Sequence, residues 1–384
     1  MNNYACWLNS IPGFGTRSIF KLRDRFIDIE GGDPAGFAEA MFRIPEAELS
    51  DICIGLKQGA MQLLLDARKD ISVSGSAENV SRASLGFVSF DEQGFPERLK
   101  EIQDPPFALY YRGRLPDDTK PSVGIVGARM ASQYGKEQAR RFGDFFADNN
   151  VQVISGMARG VDGIAQRAAI GAGGASFAVL GCGADVCYPQ ENLDLYDEIP
   201  LRGGIISEYV PGTMAEARLF PMRNRIISGL SDAIILVEAK QRSGSLITCD
   251  YALDQGRDIY AVPGRISDAL SYGCNHLIRQ GAAIATCPDD VLEGIMGVRK
   301  TNEDRPFDIG EMKAMSLQEP EKTLYGLLCE CDYCDTETLI MKASDKLHRK
   351  LEAAELMRCM LQLEMKELAI ECAAGVYAKR QSSR

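Results

Sequence analysis

The sequence predicts an α/β fold, an extended Rossmann-like doubly wound parallel sheet, with a helical segment before it and a small, mostly helical segment after it. Two observations carry this. Six apolar runs of strand length, SVGIVGA (122–128), VQVISG (151–156), ASFAVLG (175–181), GGIISE (203–208), DAIILVEA (232–239) and DIYAVPG (258–264), alternate with stretches of helical pattern. Runs that are apolar throughout, not on alternate residues, belong to strands covered on both faces, as in a parallel sheet flanked by helices. The second observation is length, since 384 residues exceed one compact core and suit two or three domains.

In chain order, residues 1 to about 75 read as helices. Within LNSIPGFGTRSIFKLRDRF, a Pro-Gly-Phe-Gly turn precedes an amphipathic run, the pattern of a helix-hairpin-helix whose glycines let backbone amides approach a phosphate. Asp24, Asp28 and Glu30 oppose such a contact, so a purely structural helical cap is the competing reading. From about 84 to 118 come short β-like pieces, FVSFDEQGFPERL and DPPFALYYRGRL, and then the six runs. The polar stretch RKTNEDRPFDIGEMKAM separates a last segment in which EPEKTLYGLL, TETLIMKA and KLEAAELMRCMLQLEMKELAIE look helical and AGVYAK looks like a terminal strand or wing. The Met and Leu series in LEAAELMRCMLQLEM reads as a helix stripe facing a core rather than a partner surface. The resulting boundaries are 1–80 for a helical helix-hairpin-helix or SAM-like domain, 84–297 for the Rossmann-like domain, 298–318 for a linker and 319–384 for the last domain.

Composition narrows the function. A formal charge of -11 excludes a nonspecific basic coat for nucleic acid, yet it leaves room for a local basic groove, because phosphate affinity follows nearby Lys and Arg. Residues 120–290 hold thirteen arginines and three lysines, Lys120, Lys136 and Lys240. Arginine suits planar, bidentate grips on phosphate; surface ion pairing is the alternative use. No run of about 18 apolar residues occurs, and MNNYACWLNS lacks a basic region followed by an apolar one, so a cytoplasmic protein with no membrane segment is expected. The 12 cysteines lie scattered in apolar runs and read as reduced, buried thiols. CECDYC, with Cys329, Cys331 and Cys334, has no second half at zinc-ligand spacing, and no metal or cofactor is expected.

In an open α/β sheet, ligands bind beyond the carboxyl ends of the strands, where loops converge and helix N-termini point inward. The residues there are Gly127-Ala128-Arg129 after the first run, SGMARGVD (155–162) after the second, GCGADVCYP after the third and EAKQRSGSLIT after the fifth. Glycines, hydroxyls and arginines at one sheet edge compose a phosphate cradle. FPMRNRIISGLS (220–231) adds two arginines around an asparagine at the mouth of an apolar helix, which places an anion there. GIVGAR is not GxGxxG, and GxxxxGK[ST] is absent, so neither a nicotinamide cofactor nor ATP hydrolysis is expected. His276 and His348 are the only histidines, which leaves Ser-His-Asp and Cys-His mechanisms poorly supplied.

From about Gly94 onward the chain resembles the DNA-processing protein A family (DprA, also called Smf). The resemblance rests on GAR at 127–129 with YG at 134–135, SGMARGVD at 155–162, GCGAD and YP at 181–189, SE at 207–208, FPMRNRIISGLS at 220–231, VEA at 237–239, SGSLIT at 243–248, AVPG at 261–264, and GCN at 273–275 with LIRQGA. It implies a helical N-terminal domain, a small winged-helix-like C-terminal domain, and a nonenzymatic homodimer that binds and protects single-stranded DNA and loads the RecA recombinase during natural transformation. By motif it assigns a phosphate grip to Arg129, backbone contacts shaped by Gly127, Ser155 and Gly156, bracing of the pocket to Arg159 and Asp162 through an ion pair, and a base stack to Phe220. Of Arg223 and Arg225, flanking Asn224, one is expected on the DNA backbone and one on a carboxylate. Ser243, Gly244 and Ser245 are expected to present hydroxyls and amides at a helix N-terminus. Departures from the pattern are Gln166 for a histidine, Gln190 after Tyr188-Pro189, and Ala217-Arg218 where a lysine is frequent, with Arg218 as its substitute. The alternative function is that of the related nucleotide phosphoribohydrolases, but SGSLITCDYA carries neither the double glycine nor the glutamate of their PGGxGTxxE motif. A further alternative is an interaction scaffold that keeps the pocket as a relic.

Overall fold

The structure, a computed structural model, describes residues 1–56, 59–297, 317–329, 333–366, 368–373 and 375–379. It divides into two compact units, Met1–Val298 and Arg299–Arg384. Of the linker expected at 298–318, residues 298–316 lie outside the described ones.

Six helices open the first unit: α1 (Asn3–Asn9), α2 (Thr16–Glu30), α3 (Phe37–Arg43), α4 (Glu46–Ile52), α5 (Ala60–Asp70) and α6 (Val73–Arg82). Side chains cap two of them, Asn2 accepting from the Ala5 N–H and Ser72 from the Gly75 N–H, both at 3.1 Å. The helices do not stand apart from the sheet. Trp7, Leu22, Phe37 and Met41 share one apolar core with Phe87, Tyr110, Leu180 and Ile205, so the segments expected as separate domains form a single unit. In the Pro-Gly-Phe-Gly turn, Gly13 takes φ +79° and Phe14 is buried, while Arg17 at the start of α2 pairs with Asp104. That turn serves packing, which matches its structural reading.

The sheet has nine strands: β1 (Gly86–Ser89), β2 (Ala108–Gly113), β3 (Ser122–Val126), β4 (Gln152–Ser155), β5 (Ser176–Val179), β6 (Gly204–Ser207), β7 (Ala233–Leu236), β8 (Asp258–Ala261) and β9 (Ala283–Ile284), in the order β1-β2-β6-β5-β4-β3-β7-β8-β9. From β6 to β9 all neighbours are parallel, and β2 and β1 extend the sheet antiparallel. Between β1 and β2, ERLK forms a short helix, α7 (Glu97–Lys100), where β-like pieces were expected.

The six apolar runs lie in β3 to β8, and their alternate residues feed two cores. Val123, Ile125, Val153 and Ile235 meet α8 (Gln133–Asp148), α9 (Val161–Gly171) and α14 (Pro288–Ile295) on one face. Val126, Ile154, Ile206 and Leu236 meet α11 (Leu219–Gly229), α12 (Gly244–Asp254) and α13 (Tyr272–Arg279) on the other; α10 (Leu193–Arg202) closes the side nearer β6. β3 sits between β4 and β7, so the chain builds one half of the sheet and then crosses back to start the other. This reversal opens a crevice at the carboxyl ends of β3 and β7.

In the second unit, helices Glu321–Cys329, Thr336–Lys346 and Ala353–Met365 pack with a three-stranded antiparallel sheet, β10 (Cys334–Asp335), β11 (Ala369–Ala373) and β12 (Val376–Lys379), ordered β10-β12-β11. Among the described residues, these three helices with the β11–β12 pair make a winged-helix-like layout. The Met and Leu series expected to face this core divides: Leu356, Met360 and Leu363 do, whereas Met357, Leu361 and Met365 point outward. The CECDYC stretch falls partly outside the described residues.

Candidate nucleic-acid interface

At the switch point, the loops after β3, β4 and β7 and the N-terminal ends of α11 and α12 enclose an open cleft of about 630 Å³. Gly127, Arg129, Asp162, Phe220, Arg223, Asn224, Lys240, Arg242 and Ser243 to Ser245 line it. Of the residues proposed from sequence, Arg129 reaches the cleft from the β3 loop. It is exposed and makes no ion pair among the described residues, and its guanidinium lies 5.6 Å from the centre of the Phe220 ring. That ring is half-buried and leans on Tyr188, centroids 5.3 Å apart at 36°. Lys240 and Arg242, on the far wall, are also exposed and unpaired among the described residues. Asp162 is the one carboxylate lining the cleft, and it is buried. The rim is therefore cationic within an acidic molecule. Lys240, Arg242 and Tyr188 were not singled out from sequence, although the first two follow a strand in EAKQRSGS, where such residues are to be sought.

The other proposed arginines turn inward. Arg225 grips Glu208 through two hydrogen bonds of 3.0 and 2.6 Å, both side chains being almost fully buried. Arg223 is buried beneath the cleft and donates to the carbonyls of Gly156, at 3.1 Å, and Val179. Burial pulls its pKa below the ordinary arginine value, with Asp162 opposing. The positive charge of FPMRNR thus fastens the loops after β4, β5 and β6 to α11; Arg225 is committed to Glu208, whereas Arg223, held through Nη1 alone, still lines the cleft. Of the expected division, the arginine on a carboxylate is Arg225, and Arg223 is the one that reaches the cleft, anchored there by backbone carbonyls. Long side chains choose partners by topology, which spacing does not reveal.

Arg159 and Asp162 brace the loop, but not through each other. Arg159 pairs with Glu191. Asp162 accepts from the Gly156 N–H at 3.1 Å; burial raises its pKa, and Arg223 and that N–H oppose the rise. Ser155 is wholly buried, its hydroxyl donating to the Ile125 carbonyl at 2.6 Å, so it joins strands and shows no face to a ligand. A Cβ on Gly156 would stand 2.5 Å from the Arg223 guanidinium, which is why that position excludes a side chain. Asn224 donates to the Gly244 carbonyl at 3.2 Å and ties α11 to α12. Arg218 is exposed beside Glu216, its Nε donating at 2.6 Å. Ser243 and Ser245 share a hydroxyl hydrogen bond of 2.8 Å, and neither caps α12, so the backbone amides at the start of that helix remain open to an anion.

A family profile described as DNA recombination-mediator protein A matches residues 86–296. The chain belongs to this family. Among its relatives, DNA processing protein DprA of Streptococcus pneumoniae is 43% identical over 216 residues, which is 56% of this chain and 76% of the relative. Protein Smf of Escherichia coli is 40% identical over 209 residues, 54% and 56% of the two chains. Among solved structures, DNA processing protein A of Streptococcus pneumoniae superposes with a TM-score of 0.66 at 32% identity, covering 76% of this chain and 97% of that one. A second, from Helicobacter pylori, is described for its single-stranded DNA binding mode; it superposes with a TM-score of 0.50 at 27% identity, covering 56% and 98%.

Within this family framework the departures found in the sequence acquire places. Gln166 is buried, accepting from the Met157 N–H at 2.9 Å and donating to the Phe177 carbonyl at 3.1 Å. Met157 is itself unusual, a buried non-glycine residue at φ +51°, and Asn192 holds its carbonyl at 2.9 Å. Such a conformation costs about 1 kcal/mol or more and persists only where surrounding bonds impose it. Gln166 therefore shapes the β4 loop from behind and does not meet a ligand. Glu238 does comparable work at the β3 loop, where it accepts from the Ser132 N–H at 2.9 Å and from the Ser132 hydroxyl. Gln190 is exposed and donates to the Cys187 carbonyl at 3.2 Å. Among the described residues, no group of three or more potential ligands could hold a metal, and no helix is long and apolar enough to cross a membrane.

Proposed function

We propose that the chain binds single-stranded DNA in the switch-point cleft, by contact alone and without catalysis, and acts as a homodimer that protects incoming strands and loads RecA onto them during natural transformation in the cytoplasm. One observation carries this reading: Arg129, Lys240 and Arg242 are unpaired cations arrayed around an aromatic pair, Phe220 and Tyr188. Cations track a phosphate backbone and an aromatic face accepts any base, the combination suited to sequence-tolerant single-strand binding. The Helicobacter pylori relative described for its single-stranded DNA binding mode supports the same reading. Against a hydrolase, the cleft's one lining carboxylate, Asp162, is buried and already holds the Gly156 amide.

The test is a titration of labelled single-stranded and duplex oligonucleotides at 50 and 200 mM salt. Three phosphate contacts give a slope of about -2 in log affinity against log salt, so binding weakens roughly twentyfold across that range. Equal affinity for the duplex, or affinity indifferent to salt, would sink the reading. RecA filament assembly on coated single strands, with and without the protein, tests the loading step.

A further inference from the structure

The helix Ala353–Met365 leaves Met357, Leu361 and Met365 at 53%, 58% and 78% exposure while Leu356, Cys359, Met360 and Leu363 enter the core. Spaced by four, the three side chains form one ridge along the helix. An apolar ridge facing water on a small unit marks a docking face. Its polar neighbours are sparse: Arg358 is the one cation exposed on that helix, which makes it a poor reader of phosphate.

The occupant is indicated by the order of the residues. Leu361 is a centre of symmetry, with Met357 and Met365 four residues to either side, and Arg358 and Glu364 three residues to either side. Arg358 makes no ion pair among the described residues, and neither does Glu364, whose Oε1 accepts from the Glu371 N–H at 2.8 Å. Turning the helix about an axis through Leu361 exchanges the two methionines and brings each arginine opposite the other copy's glutamate. A surface of this kind is complementary to its own antiparallel copy, as a two-fold interface requires.

We propose that this ridge pairs with the same ridge of a second copy of the chain, antiparallel, with Leu361 on the two-fold axis. Ridges built on every fourth residue interlock at a crossing angle of about -50°, which concentrates contact around the central leucine. Three apolar side chains per copy fall short of the roughly 1,000 Å² of a lasting interface. The contact therefore forms between chains already held close, where the effective concentration reaches the mM range, as on one bound strand. It does not depend on the cleft being the DNA site.

The experiment uses the full chain with Leu361→Cys under mild oxidation, at about 1 mM protein so that copies meet at the required concentration without any strand. Because Cys372 is exposed, the unsubstituted chain sets the background. Leu361→Cys is expected to give a disulfide-linked dimer several-fold above it. Met357→Cys and Met365→Cys, carried on chains of different tag length and mixed, are expected to join to each other. Met357→Cys alone is not, because its two copies stand about 12 Å apart along the helix axes. Adding Arg358→Glu to Leu361→Cys lowers the yield, and further adding Glu364→Arg restores it. The proposal is overturned if Leu361→Cys links no better than the background, if Met357→Cys alone links as well as the mixture, or if the double charge exchange fails to restore the yield.

Discussion

Replacing Arg225 by alanine separates an arginine that builds the site from one that meets DNA. Its guanidinium and the Glu208 carboxylate form a two-bond pair whose side chains are 5% and 11% exposed. Removing the cation leaves a carboxylate buried without its partner, a loss of about 3–5 kcal/mol. For the unit Met1–Val298, unfolding entropy at about 2.1 cal/mol/K per residue amounts to about 0.6 kcal/mol/K, so the midpoint falls by about 5–8 °C. Scanning calorimetry of the full chain reads this directly. In the double variant Arg225→Met with Glu208→Gln, no buried charge is stranded, and most of the lost stability should return. An unchanged midpoint in Arg225→Ala, together with a tenfold or greater loss of single-strand affinity, would refute the reasoning, because the guanidinium would then be spent on DNA.

Arg129→Ala should behave in the opposite way. Exposed and unpaired, the side chain contributes within about 0.5 kcal/mol to stability, so the midpoint hardly moves. Its loss removes charge-assisted bonds to phosphate of about 1.5–3 kcal/mol, roughly 10- to 150-fold in affinity, and flattens the salt slope by about 0.7; an unaltered slope would remove Arg129 from the interface. Phe220→Ala is expected to weaken binding by about 1–3 kcal/mol equally on pyrimidine and purine strands, and Phe220→Trp to retain it, both read by fluorescence titration. At the start of α14, burial would raise the Asp290 pKa, but hydrogen bonds from Thr286 and Cys287 outweigh it and hold the pKa below the ordinary 3.8. The stability from this depressed pKa is present above 3.8 and is lost as pH falls through the folded value. Asp290→Asn should therefore lower the melting midpoint near neutrality, and the difference from the unsubstituted chain should shrink in melts carried below pH 3.8.

The parallel sheet was legible because strands covered on both faces must be apolar throughout, a condition written in consecutive residues such as 233–236 and 204–207. β9 escaped notice because two residues, Ala283 and Ile284, carry no period. The cleft's location could be expected from residues that follow strands, and Arg129, Phe220 and the Ser243–Ser245 turn do converge there. Arg223 and Arg225 could not be oriented in the same way. Their partners, Gly156 and Glu208, lie 67 and 17 residues away in sequence and become neighbours only when β4, β6 and α11 are stacked.

The sequence by itself determined the layered α/β class, the family and the strand ends at which a ligand would gather, because local periodicity and turn chemistry need no knowledge of distant residues. Tertiary structure alone decided which charges are free. A guanidinium faces water or a buried carboxylate according to where the sheet's crossover places its neighbours. The joining of the N-terminal helices to the sheet through one core is likewise a property of packing, since Trp7 and Tyr110 are apolar-facing in either arrangement until the fold brings them together.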